Sequence, residues 1–356
     1  MSFISAREAA DKWGISQRRV AVLCSENRID GATMVGNMWI IPNEAQKPVD
    51  ARSTRYINSD EKTVKPFLKW AGGKGQLIKE IEQYYPFEND KITKYAEPFI
   101  GGGAVLFDIL NKYDLEEVYI SDINHELINT YCTVRDEIDA LLKLLSIYQK
   151  EYIPLGTEMR KEYYIAKRDR FNDLKVNGNI KTNVEKAALM IFLNKTCFNG
   201  LFRVNRKGLF NVPMGAYKNP IICDETNLRA VAEKLKKVTI VCGDYKESAD
   251  FIDQNTFVYF DPPYRPITET ASFTSYAENP FEDEQQIELA RFVDSMSDRG
   301  AKIVVSNSDP KNVNKEDDFF DDIYSAHTIR RVEATRMINS NADARGRIKE
   351  LLISNF

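Results

Sequence analysis

The chain has 356 residues, 43% of them hydrophobic and 11% aromatic, and a formal net charge of -4. That is enough apolar material for one large core with smaller modules beside it. No stretch approaches the roughly 20 consecutive apolar residues of a membrane-spanning helix, and the charged start MSFISAREAADKWG does not read as a signal peptide. A cytoplasmic, soluble protein is expected; with no Cys-x-x-Cys pair among five cysteines and only His125 and His327 besides, reduced thiols and no metal are expected too.

Residues 1 to 45 predict a compact unit of their own. Ser5 is placed to cap a helix over AREAADKWG and Ser16 a second over QRRVAVLCSENR, with Gly14 in the turn between them, which is helix-turn-helix spacing. After Gly31 the apolar stretches of TMVGNMWIIP, with Gly36-Asn37 at a hairpin turn, predict the two strands of a wing. The unit resembles the small winged helix-turn-helix domains of excisionase-like and MerR-like proteins. In such domains Arg18 and Arg19, near the start of the second helix, would reach bases or phosphates. The first 50 residues carry 6 basic and 6 acidic side chains, so protein docking is the other role open to this unit. Residues 46–64 are polar and aperiodic and read as a linker.

From Lys65 onward, β-rich runs alternate with helical ones. KYAEPFI, EVYISDI, KVTIVCGD, TFVYFDPP, AKIVVSNS and KELLISNF read as strands, and HELINTYCTVRDEIDALLKLLSIYQKEY has helical period. The alternation predicts a doubly wound α/β sheet, whose ligands sit at the carboxyl ends of its strands. The segment Thr157 to Pro220 interrupts it with 13 Lys or Arg against 5 Asp or Glu, a basic island in an acidic protein, and is expected to form a separate subdomain. Taken alone, such an island is better explained by a solvated helical face.

Asp261-Pro262-Pro263-Tyr264 follows the apolar run Phe257–Phe260 and so stands at a strand tip. Two prolines remove backbone donors and fix φ, holding the Asp261 and Pro262 carbonyls in one orientation beside a carboxylate. Such an acceptor array suits an exocyclic amino group on a nucleobase. Accepting both its hydrogens frees a lone pair otherwise conjugated with the ring, while Tyr264 offers a face for stacking. By itself the tetrapeptide is equally an ordinary proline turn. Upstream, Glu97-Pro98-Phe99-Ile100-Gly101-Gly102-Gly103 follows a strand and opens a helix, where glycines let backbone N–H groups approach a ligand. Asp122, about 20 residues on, closes the next strand, where a carboxylate can accept ribose hydroxyls. Gly243-Asp244-Tyr245 ends a further strand, where a carboxylate could accept an adenine amino group.

FLKWAGGK (Phe67 to Lys74), EPFIGGGA, SDIN, CGDY, DPPY and the closing VEATRMINSNADARGRIKELLISNF stand in the order found in DNA adenine methyltransferases. From Lys65 to Phe356 the chain resembles the Dam and DpnII-type α group. The resemblance implies a Rossmann-like domain that uses S-adenosylmethionine, without a metal, to methylate N6 of an adenine flipped out of double-stranded DNA, in GATC. It places Trp70, Lys74, Glu97, Phe99 and Gly101 around the cofactor, with Ala71, Gly72, Pro98, Gly103 and Tyr245 beside them. Asp122 would hold the ribose and Asp244 the adenine, and Asp261, Pro262, Pro263 and Tyr264 would grip the target base, with Asp261 bordering the cofactor as well. Residues 198 to 213 look like the recognition hairpin of GATC readers. Lys69, Leu201, Arg203 and Pro213 would then face base pairs, Phe198 and Asn199 would fill the gap left by the extruded base, and Arg206, Lys207, Lys195 and Lys218 would meet phosphates. Arg203 is the candidate for a guanine fork. The resemblance allows a cognate restriction endonuclease as partner, and a monomer is expected in solution. The same acceptor array would also serve cytosine N4, an RNA base or a glutamine side chain. A DNA-binding regulator with an inactive cofactor-sensing domain is the alternative from another class.

Overall fold

Runs of β-branched and aromatic residues bounded by polar turns become the strands of the computed structural model, which describes residues 3–13, 16–25, 29, 31–36, 38–45, 63–70, 72–87, 91–177, 184–265, 281–335 and 347–356. The chain divides into two units, Met1–Tyr56 and Ile57–Phe356.

In the first unit β1 (Phe3–Ser5), α1 (Ala6–Trp13), α2 (Gln17–Ser25), β2 (Thr33–Val35) and β3 (Met38–Pro42) follow in order. Ser5 caps α1 as expected. Its hydroxyl accepts from the Glu8 amide at 3.2 Å while the Glu8 carboxylate accepts from the Ser5 amide at 2.8 Å. Ala9, Ala10, Val20, Leu23 and Ile41 are buried together as a core of its own. Both hairpin strands are present. The short β1 was not expected, since three residues leading into a cap carry no readable alternation; it pairs with β3 to give the order β1-β3-β2. Gly14, Asn37 and the Arg19 side chain lie outside the described residues, as do linker residues 46–62. The linker's expected end does not hold, because Val64 is 2% exposed and the Asn111 side chain bonds both its N–H and its carbonyl.

The second unit contains α3 (Ile78–Ile81), β4 (Lys94–Glu97), α4 (Ala104–Lys112), β5 (Glu117–Asp122), α5 (His125–Asp136), α6 (Ile138–Tyr152), α7 (Thr157–Asn177), α8 (Val184–Thr196), α9 (Glu225–Leu235), β6 (Val238–Cys242), β7 (Thr256–Phe260), α10 (Asp283–Asp298), β8 (Lys302–Ser308), α11 (Phe319–Ile323), β9 (Thr328–Thr335) and β10 (Arg347–Ser354). Its sheet runs β6-β5-β4-β7-β8-β10-β9, with β6 through β8 mutually parallel and β10 antiparallel to both neighbours. The five residues of β7 are all buried, as a strand covered on both faces requires. The strand order reverses between β4 and β7, which are paired through Ala96 and Val258. The loops leaving these two strands therefore start side by side, at the position where open α/β sheets bind ligands.

Three features depart from the sequence expectations. The helical run 125–152 is two helices, broken where Glu137 leaves the helical region at φ -130° and ψ 34°; α6 then packs Leu141, Leu142 and Leu145 into the core. The polar strand β9 was not anticipated, because Arg330, Arg331 and Glu333 mask its alternation, and charge of this kind is usual on an edge strand. The basic segment 157–220 does lie between β5 and β6, but it has no separate core. Tyr164 and Phe171 of α7 and Ala187–Leu193 of α8 are buried in the same cluster as Phe107 and Tyr131 of the sheet domain.

Candidate functional site at the switch point

The turn after β7 is built around Asp261. One of its oxygens, Oδ1, lies 2.7 Å from the Lys74 ammonium and accepts the Ser306 hydroxyl at 2.8 Å, while Ser306 in turn accepts the buried Tyr259 phenol at 2.9 Å. Lys74 is 5% exposed; it also donates to the Gly72 carbonyl at 2.6 Å and sits 4.5 Å over the Tyr264 ring. Both donors fall on Oδ1, so Oδ2 is the carboxylate oxygen left to a substrate. The proline turn is held from behind, where Gln286 donates to the Pro263 carbonyl at 3.0 Å and Asn307 both donates to Gln286 and accepts from the Arg265 amide. Arg265 itself clasps Asp283 and Asp317.

Beside it, the turn after β4 uses its glycines for close approach. Gly101 has φ +45° and a Cβ there would come within 2.8 Å of Trp70; Gly103 has φ +70° and a Cβ there would meet the Tyr131 hydroxyl. The Gly101 amide of this turn donates to Asp122 at 3.2 Å, and Asp122 also accepts from the Asn124 amide after its own strand at 2.9 Å. Burial pushes the Asp122 carboxyl up to about 6 against these bonds. Asp244, after β6, is exposed and caps a 3-10 turn by accepting from Lys246. Tyr245 lies beneath the surface: it is 4% exposed, stacks on Phe99 at 5.4 Å, and its hydroxyl has no hydrogen-bond partner among the described residues. Glu97 is likewise buried, accepting the Tyr95 phenol at 2.7 Å. Desolvation, with Asp261 nearby, pushes it up to about 8. Pro98 is buried between them, and Ala71 lies outside the described residues.

The recognition-like hairpin adjoins this centre. Trp70 stacks on Phe202 at 5.5 Å and 19°. Asn194 bonds both the amide and the carbonyl of Lys69 and also the Gly200 carbonyl. The Lys69 ammonium rests 4.7 Å over the Tyr217 ring. Phe198 is 52% exposed, and Asn199, at φ +55°, is the positive-φ residue other than glycine among those described. Arg203, Arg206, Lys207 and Pro213 are exposed and Leu201 is half-buried; Arg203 donates to Asn211 across the bridge pair Val204 and Phe210. Part of the basic island is paired within the chain, Arg170 with Glu185 and Asp173 at the surface and Lys175 with the buried Glu126.

Sequence reading missed Ser306, Asn307, Gln286, Arg265 and Glu350. Ser306 and Asn307 end β8, and strand ends at the ligand-binding edge were the signal available for them. The others join the site only through tertiary packing. Ile123, 57% exposed next to Asp122, was also overlooked.

A family model described as D12 class N6 adenine-specific DNA methyltransferase matches residues 70–338. The chain is 50% identical over 296 residues to the type II methyltransferase M.MjaIII of Methanocaldococcus jannaschii, covering 82% of this chain and 99% of that protein. It is 34% identical over 302 residues to the type II methyltransferase M1.LlaDCHI of Lactococcus lactis, covering 84% and 98%. With the DNA adenine methylase of Haemophilus influenzae it shares 35% identity over 289 residues, covering 81% and 92%. Among the described residues no group of three or more His, Cys, Asp and Glu side chains is arranged to hold a metal ion, and no helix is long and apolar enough to cross a membrane.

The buried acid gives a pH signature. Glu97 in the folded protein titrates at about 8, above the ordinary 4.5, so the fold binds its proton more tightly than the unfolded chain does. Its contribution to stability is therefore full below pH 4.5 and is lost as pH rises through 8. Thermal unfolding followed from pH 5 to 9 should fall less steeply with pH in Glu97→Gln than in the wild type; identical slopes would show that Glu97 is ionised in the folded state.

Proposed function

In a chain that belongs to the D12 class of N6 adenine-specific DNA methyltransferases, and is thus an adenine-specific DNA methyltransferase, we propose that the turn after β7 grips the target adenine and the turns after β4, β5 and β6 hold the methyl donor. The observation that carries this is the pairing of β4 with β7, which sets Asp261 and the glycine turn next to each other. The alternatives of cytosine N4, an RNA base and an inactive sensor fall to the family membership.

The residues present fit S-adenosylmethionine, the donor the family implies. Around a glycine turn too close to Trp70 for any side chain stand an acceptor carboxylate for hydroxyls (Asp122), an exposed carboxylate for an amine (Asp244) and an apolar surface for a purine (Ile123). When bound, the cofactor supplies a sulfonium methyl group. Tyr264 stacks the flipped base, whose extrusion costs a few kcal/mol of stacking and pairing. Asp261 Oδ2 and the Pro262 carbonyl accept the two amino hydrogens and aim the N6 lone pair. Lys74 and Ser306 keep Oδ1 occupied, so the carboxylate does not rotate. The same carboxylate faces the positive charge that develops on nitrogen, and alignment with electrostatic stabilisation does most of the catalysis.

For DNA recognition we infer the target GATC, with Lys69, Leu201, Arg203 and Pro213 at base edges and the exposed Phe198 and Asn199 entering the gap left by the base. Arg206, Lys207, Lys195 and Lys218 meet phosphates, which set affinity and register. The first unit is read as a winged helix-turn-helix that binds DNA through α2. Its support is the pair of helices followed by a hairpin around a separate core, with Arg18 exposed.

Asp261→Ala is expected to abolish methyl transfer while DNA affinity stays within a few fold, because the carboxylate acts on the reacting amine. Labelled methyl transfer within about tenfold of wild type would end the mechanism. Sequencing of methylated DNA from cells expressing the protein should return GATC. Arg203→Ala should relax discrimination at one guanine by roughly 1–3 kcal/mol, and Lys207→Ala should weaken binding to all sequences alike and shallow its salt dependence; a modified site other than GATC refutes the target but not the enzyme. A chain beginning at Asp60 should methylate a short GATC duplex at a near-normal rate yet lose activity on kilobase DNA, where two tethered modules gain from effective concentration. Equal activity on both lengths would reject DNA binding by the first unit.

A further inference from the structure

Along β10, Ile348 and Leu352 turn into the main core, and Glu350 stands between them on the same strand face, hydrogen-bonded into a ladder on both sides, opposite Ser308 of β8 and Val332 of β9. Glu350 is half-buried there, and a partly desolvated carboxylate is stabilised by a donor. The donor is the phenol of Tyr264, which reaches Glu350 Oε2 at 2.6 Å, a short hydrogen bond. The ring is thereby held twice, at its hydroxyl by a sheet strand and on one face by the Lys74 ammonium 4.5 Å away, which is itself fixed by Asp261. Burial, with Asp261 and Glu350 close by, holds the phenol well above its ordinary range, so it is a donor at neutral pH.

We propose that Glu350 is a positioning residue for methyl transfer, fixing the plane of Tyr264 and through it the plane of the stacked target base, so that N6 meets Asp261. A base stacked on an aromatic ring takes that ring's plane, and a tilt at the phenol displaces the far edge of the purine, where the reacting nitrogen lies. Reaction rates are sensitive to displacements of about 1 Å at the reacting atom. The inference rests on the reading of Tyr264 as the stacking surface.

The test uses the full chain, comparing Glu350→Ala, Glu350→Gln, Tyr264→Phe, Tyr264→Ala and the double variant Glu350→Ala with Tyr264→Phe. For each, kcat, KM for DNA, S-adenosylmethionine affinity and thermal unfolding are measured. Loss of the bond should lower kcat about tenfold in Glu350→Ala and in Tyr264→Phe, with S-adenosylmethionine affinity unchanged. The double variant should be no worse than either single one, because both delete the same bond. Glu350→Gln, which keeps a carbonyl acceptor, should recover most of the rate. Multiplying losses in the double variant, or wild-type kcat in Glu350→Ala, would overturn the proposal. Should Glu350→Ala fail to fold, equal losses in Glu350→Gln and Tyr264→Phe would overturn it in the same way. Tyr264→Ala separates the two readings: full activity there refutes the stacking role itself, whereas loss there with full activity in Tyr264→Phe and Glu350→Ala refutes only the part given to Glu350.

Discussion

Lys74 and Asp261 form an ion pair that is 5% and 20% exposed, and the site is organised around keeping those two charges satisfied. Removing charges from water is repaid only when every remaining donor and acceptor finds a partner. Lys74 meets this demand through the Gly72 carbonyl and the Tyr264 ring, and Asp261 through Ser306, which is in turn supplied by Tyr259. The pair also joins a turn before the first strand of the sheet domain to the tip of its central strand. Two segments far apart in the chain thus become one acceptor surface.

The same economy links this centre to DNA recognition. Asn194 spends its side-chain amide on Lys69 and Gly200, and Trp70 bridges from the glycine turn to Phe202. Since α8, which carries Asn194, is buried in the main core, the hairpin at residues 198–213 is mounted on the catalytic body. A hairpin with its own separate core would shift independently of the base-gripping turn. Here the groups proposed to read the sequence and those proposed to transfer the methyl group share one rigid frame.

How much of this was legible in the sequence depended on range. Strands β4 to β8 and β10 showed as short apolar runs, and DPPY and EPFIGGG showed as turns at their tips, because a strand end and its turn are consecutive in the chain. Strand β9 was hidden by its arginines, and the break at Glu137 by an unbroken helical period. That Tyr245 packs under Phe99 was not legible either, since a tyrosine at a strand end carries no local mark of which way it faces.

By itself the sequence determined the fold class, the order of the motifs and the chemistry available at each strand tip, since these follow from residue type and local spacing. Tertiary structure alone decided which oxygen of Asp261 is free, that burial pushes the Glu97 carboxyl up, that Gln286 and Asn307 brace the proline turn, and that Glu350 meets the Tyr264 phenol. Each of these depends on a contact between residues on different strands or helices. Such contacts are set by the register of the sheet and the packing of the core, and neither quantity is encoded in any single stretch of chain.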